Sequence, residues 1–150
     1  DQALMQTGLH VGRVVDERNE KFGQGDFLIR NLMCVVEQSA IAINALIRPG
    51  QTIQFQVRDS KSADEEMRGL LTEEIAAMPS PPAGGLLFTC NGRGARMFGK
   101  PDHDIGVVNS IATDCQVAGF FAAGDIGPVG NRTFIHGFTS SLILFRRPAG

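Results

Sequence analysis

The sequence predicts an α+β protein: a mixed, largely antiparallel sheet with two main helices packed mostly on one face. Three observations carry this reading. Short apolar or alternating segments bounded by glycine, proline and asparagine outnumber helical patterns. One long stretch places Met67, Leu70, Leu71, Ile75 and Met78 at helical spacing. The element order runs strands, helix, strand, helix and a terminal hairpin, which is neither a series of βαβ units nor an all-β sandwich.

Leu9 to Val15 alternates as a strand, and the charged, glycine-bearing stretch Asp16 to Asp26 is an exposed loop. Phe27 to Val36 is nearly continuously apolar; Ala40 to Ile47 follows, then the Arg48-Pro49-Gly50 turn, then Thr52 to Arg58 with Ile53, Phe55 and Val57 on one face. These segments read as an antiparallel meander. Ser62 with Glu65 three residues later fits a capping box and opens the long helix. Pro79 to Gly85 is a connector and Leu86 to Cys90 a short buried strand. A second helix spans Asp104 to Thr113, with Ile105, Val108, Ile111 and Ala112 inward. Gln116 to Ala123, a glycine-rich turn from Gly124 to Asn131, and one long strand from Thr133 to Arg146 close the chain.

A length of 150 residues, 43% of them hydrophobic, supports one core and one domain covering 1–150. The chain starts at Asp1, from which a fragment of a longer protein is expected. A net charge of -2 without a basic face argues against nucleic acid as a partner. No apolar run approaches the roughly 20 residues of a membrane span, and no signal core opens the chain, so a cytoplasmic location without membrane contact is expected. Cys34, Cys90 and Cys115 are odd in number and widely spaced, which predicts buried, reduced thiols and not a disulfide framework or a zinc site. Ten Phe with no Trp or Tyr favour core over a stacking platform.

Three clusters could carry chemistry. Cys90-Asn91-Gly92-Arg93-Gly94 leaves a strand through two glycines; such a turn offers backbone N–H groups, and Arg93 a planar fork, to a carboxylate or phosphate. The alternative is a tight turn with a solvated arginine. Within Gly119 to Gly130, Gly124, Gly127, Gly130 and Pro128 surround Asp125, which either faces a ligand or caps its own turn. On the closing strand, alternation puts Phe134, His136 and Phe138 on one face, so His136 is either a hydrogen-bonded core histidine or an axial haem ligand. A catalytic set of Cys90, His136 and Asp125 lacks any motif around the cysteine. Asp102-His103-Asp104 reads as a solvated helix start.

In this order, Gly25 to Arg30, Pro49 to Asp59, Cys90 to Gly94, Gly119 to Gly130 and His136 to Thr139 resemble the C-terminal domain of the FIST family. The resemblance implies a non-catalytic, bacterial-type sensory domain that follows an N-terminal FIST domain in the same protein. It implies a small ligand, amino acids among the candidates, and signalling partners such as a histidine kinase, a chemoreceptor or a cyclic-di-nucleotide enzyme. Haem-based nitric oxide sensing through His136 is one alternative, with no cofactor otherwise; docking of a kinase or ubiquitin-ligase component is another. The candidate ligand-binding residues are Asn91, Gly92, Arg93, Gly94, Asp125, Gly127 and His136. In the leading reading Arg93 grips an anionic group and Asp125 a cationic one. The family's turn usually carries glutamate where this chain has Asp125, which keeps the charge on a shorter arm.

Overall fold

The structure, a computed structural model, describes residues 8–23, 25–37, 39–129 and 132–146. Gly130 and Asn131, the end of the expected glycine-rich turn, lie outside the described residues. Among the described residues, nine strands in largely antiparallel sheets and three α-helices make an α+β fold. The chain divides into two compact units, Asp1–Arg58 with Ile126–His136, and Asp59–Asp125 with Gly137–Gly150.

The first unit holds β1 (Leu9–Val14), β2 (Phe27–Val36), β3 (Ala40–Ile43) and β4 (Ile53–Val57) in the order β3-β2-β1-β4. The expected meander holds for β1 to β3 and fails at β4. That strand crosses to the free edge of β1, where Val57, Phe55 and Ile53 stand opposite Leu9, Val11 and Arg13. The crossover puts β1 in the middle, with Val11 and Leu28 fully buried around it. Gly12 makes the tight packing possible, because a Cβ there would press on Phe27 and Gln56. β7 (Asp125–Val129) and β8 (Arg132–His136) form a two-stranded pair, and the Arg30 guanidinium donates to the Ile135 carbonyl at 3.1 Å.

The second unit is a three-stranded sheet, β6-β5-β9, with β5 at Gly84–Cys90, β6 at Val117–Ala122 and β9 at Ser140–Phe145. β5 pairs parallel to β6 and antiparallel to β9. Helix α1 (Ser60–Ala77) and helix α3 (His103–Ile111) pack on one face, burying Leu71, Leu87, Val107, Val108, Ala112 and Cys115 together. Their contact removes apolar surface worth roughly 25 cal/mol per Å² from water. A one-turn helix, α2 (Ala95–Phe98), was not expected from the sequence.

Four expectations need correction. Helix α1 starts two residues before Ser62 because Asp59 is the N-cap; its carboxylate accepts from the Ser62 N–H at 2.8 Å and from the Ser62 hydroxyl. The long closing strand breaks at Gly137–Thr139, where Phe138 takes φ of 64°, so alternation does not continue from β8 into β9. Cys34 is exposed while Cys90 and Cys115 are buried; all three are free. Finally, Phe22, Phe55, Phe120, Phe121 and Phe145 are exposed, so much of the aromatic surface is not core.

Candidate functional site

The C-terminal ends of the adjacent parallel strands β5 and β6 lie side by side, with Cys90 opposite Ala122. Open sheets bind ligands at such ends. The two glycine-rich clusters of the sequence therefore meet at one edge: Asn91–Arg93, a 3₁₀ turn leaving β5, and Gly124-Asp125 leaving β6. The start of β9 joins them, because the Cys90 N–H donates to the Thr139 carbonyl at 2.9 Å and the Thr139 hydroxyl donates to the Asp125 carboxylate. Gly92 is required here: a Cβ would collide with the edge of the Phe138 ring.

Arg93 is not a solvated turn residue. It is 7% exposed, and its Nε and Nη2 donate to the two oxygens of Asp104 at 2.8 and 3.0 Å. The guanidinium also lies 5.3 Å from the centre of the Phe98 ring and 3.8 Å from the Met67 sulfur. Asp104 in turn meets His103 Nδ1 at 2.9 Å, and His103 Nε2 meets Asp64 of α1 at 2.8 Å. Asp64 accepts from Arg68 at 2.8 Å. The His103 ring stacks on Phe98 at 3.5 Å. A charge chain thus runs Arg68–Asp64–His103–Asp104–Arg93. Ionised carboxylates only accept hydrogen bonds, so the chain is fully satisfied when both ring nitrogens of His103 carry protons.

The expectation of a solvated Asp102-His103-Asp104 start is overturned, since His103 and Asp104 are both buried. Only Asp102 is exposed, holding φ of 57° at the N-cap of α3. Burial alone would raise the Asp104 carboxyl, yet hydrogen bonds and charge from Arg93 and His103 outweigh it and hold it below the usual carboxylate value. Asp64 is also lowered, first by its hydrogen bond from Arg68. Sequence reasoning missed this cluster because Asp64 lies 39 residues from His103. Its one legible signal was an imidazole set between two aspartates at the start of an apolar helix.

Two cavities flank Arg93. The smaller, about 250 Å³, is lined by Arg93, Gly94, Asp102, His103, Phe120 and Phe121 among others. The larger, about 700 Å³, runs between α1 and β9. Asp125 lines neither of them; its carboxylate is turned to Thr139. Gly127 and His136 belong to the first unit. There His136 Nε2 is 3.0 Å from the Gly127 carbonyl, and the half-buried ring meets Phe134 edge-on. An axial haem ligand needs a free imidazole nitrogen over an open pocket. His136 sets its Nε2 against the Gly127 carbonyl on the hairpin and lines neither of these two cavities. Cys90, the imagined nucleophile, is 5% exposed, and Asp125 and His136 are engaged as described, so nothing here points to catalysis. Among the described residues no group of three or more His, Cys, Asp or Glu side chains could hold a metal ion, and no helix is long and apolar enough to cross a membrane.

The fold and this edge define an α+β domain with two cavities beside a buried charge chain. The FIST C domain profile matches residues 1–128, and the chain belongs to that family of signal-transduction sensory domains. It is 49% identical over 146 residues to an uncharacterized protein of Mycobacterium tuberculosis, and 47% identical to one of Mycobacterium bovis. Each match covers 97% of this chain and 38% of the relative, so the chain spans well under half the length of these curated relatives.

Proposed function

We propose that this chain is the ligand-recognising part of a non-catalytic sensory protein, and that it binds an amino-acid-sized zwitterion in the 250 Å³ cavity beside Arg93. The observation that carries the reading is the lining of that cavity. It combines an arginine fixed in place by Asp104, an exposed carboxylate at Asp102, and an apolar wall including Phe120, Phe121 and Ile105. A few convergent polar groups in a mostly apolar cleft are what small-ligand sites use. The α-carboxylate faces Arg93 and the backbone of Gly94; the ammonium faces Asp102, which takes the role first expected of Asp125. Signal passes to a partner through α1, which the Asp64–His103 contact ties to the Arg93–Asp104 pair.

Calorimetry with each common amino acid tests this. At least one should give saturable heat, and Asp102→Asn, which tolerates the left-handed backbone, should weaken it about tenfold, a change of roughly 1.4 kcal/mol. No heat from any of them, or an unaffected Asp102→Asn variant, removes this site.

A further inference from the structure

We infer that the larger trough, between α1 and β9, is a docking groove for a basic amphipathic helix of a signalling partner. Its length makes it unsuited to a single amino acid. The α1 wall runs from Ala63 to Met78, which at 1.5 Å per residue is about 22 Å. The 700 Å³ is spread along that distance.

The floor is apolar, formed by Met67, Leu70, Leu71, Leu142 and Leu144. Leu70 is 59% exposed although it stands on an amphipathic helix whose other large apolar residues turn to the core. The rim is acidic. Glu66 and Glu74 both line the trough and are exposed, eight residues and about 12 Å apart on α1. Lys61 pairs with Glu65 and Arg68 with Asp64, whereas among the described residues neither Glu66 nor Glu74 has an ion-pair partner. The complementary occupant is a helix with apolar residues at i, i+3 or i+4, and i+7, flanked by lysine or arginine about two turns apart. Arg146, on the same lining, meets an acidic group of that partner. An anionic membrane surface is repelled by the same two glutamates.

Arg93 lines this trough as well as the small cavity. Filling either one therefore bears on the same side chain, which gives the sensory reading a route from ligand to partner. That route rests on the proposed function; docking in the trough does not.

The test uses the ligand-free chain and a fluorescein-labelled 15-residue peptide of leucine and lysine, about four helical turns long, with leucines at i, i+3, i+4 and i+7. Anisotropy in low salt should show saturable binding. Glu66→Lys with Glu74→Lys, and separately Leu70→Asp, should each weaken it at least about tenfold while circular dichroism stays unchanged, since all three side chains are exposed. Absence of saturable binding, equal binding of a scrambled peptide of the same composition, or unchanged affinity in well-folded variants overturns the proposal. No amino acid is present in this assay, so its failure leaves the small cavity untouched, and failure of the calorimetry leaves the trough untouched.

Discussion

Arg18 and Arg93 each meet an aspartate through Nε and Nη2: Arg18 reaches Asp16 at 2.8 and 2.5 Å, and Arg93 reaches Asp104 at 2.8 and 3.0 Å. The side chains of the first pair are 85% and 39% exposed, those of the second 7% and 5%. The forks are alike and the surroundings are not. At the surface, water and salt screen the attraction and replace either partner when the other is lost. In the interior no water takes over, so loss of one partner strands the other's charge. A bidentate geometry by itself therefore says little about stability, and burial decides which pair the fold depends on.

The largest test of this contrast is Asp104→Ala. It leaves Arg93 buried without its carboxylate and removes one of the two acceptors facing His103, and should cost about 3–5 kcal/mol in urea unfolding. A cost below about 1 kcal/mol would mean that Arg93 swings to water and that its burial is incidental. Gly92→Ala comes next, because its Cβ would collide with the edge of the Phe138 ring and push that strained loop away from β5; about 1–3 kcal/mol should be lost.

Acid separates the pairs further. Asp104 and Asp64 have folded values below the ordinary 3.8, so the unfolded chain binds protons first. Their stabilisation is fully present above the unfolded value and is lost as pH falls through the folded ones. Unfolding midpoints measured from pH 5 downward should thus drop below about pH 3.8, and Asp104→Asn should flatten that limb. Asp16, lowered to about 2 chiefly by its hydrogen bond from Arg18, lies at the surface with its side chain 39% exposed. Asp16→Asn should leave the melting temperature within error at moderate salt. A clear shift there would erase the distinction between the two pairs.

How legible this was depended on distance along the chain. The long helix, the second helix and the strand ending at Cys90 could be read locally, since periodicity and turn residues act over a few positions. What local signals could not supply was pairing. β4 looked like the last strand of a meander, and only packing against buried Val11 sends it across β1. Turn chemistry marks Arg93 as a ligand residue, and its turn does sit at a sheet edge. Its partner Asp104 and the more distant Asp64 and Met67 come from separate helices, so the charge chain had no spacing to betray it. His136 keeps Phe134 as its neighbour on β8, and the break at Phe138 ends the alternation that would have added the second phenylalanine.

The second unit is assembled from two stretches of sequence, with β9 returning to β5 after the chain has visited the first unit. About 50 residues separate Cys90 from Ser140, and at roughly 5–20 residues per second a ribosome needs about 3–10 s to make them. Throughout that interval β5 has an open edge and α1 has no opposite wall. The newborn chain thus exposes Leu71 and Leu87 until the strand that helps to shield them exists, and in those seconds they are open to chaperones and to aggregation.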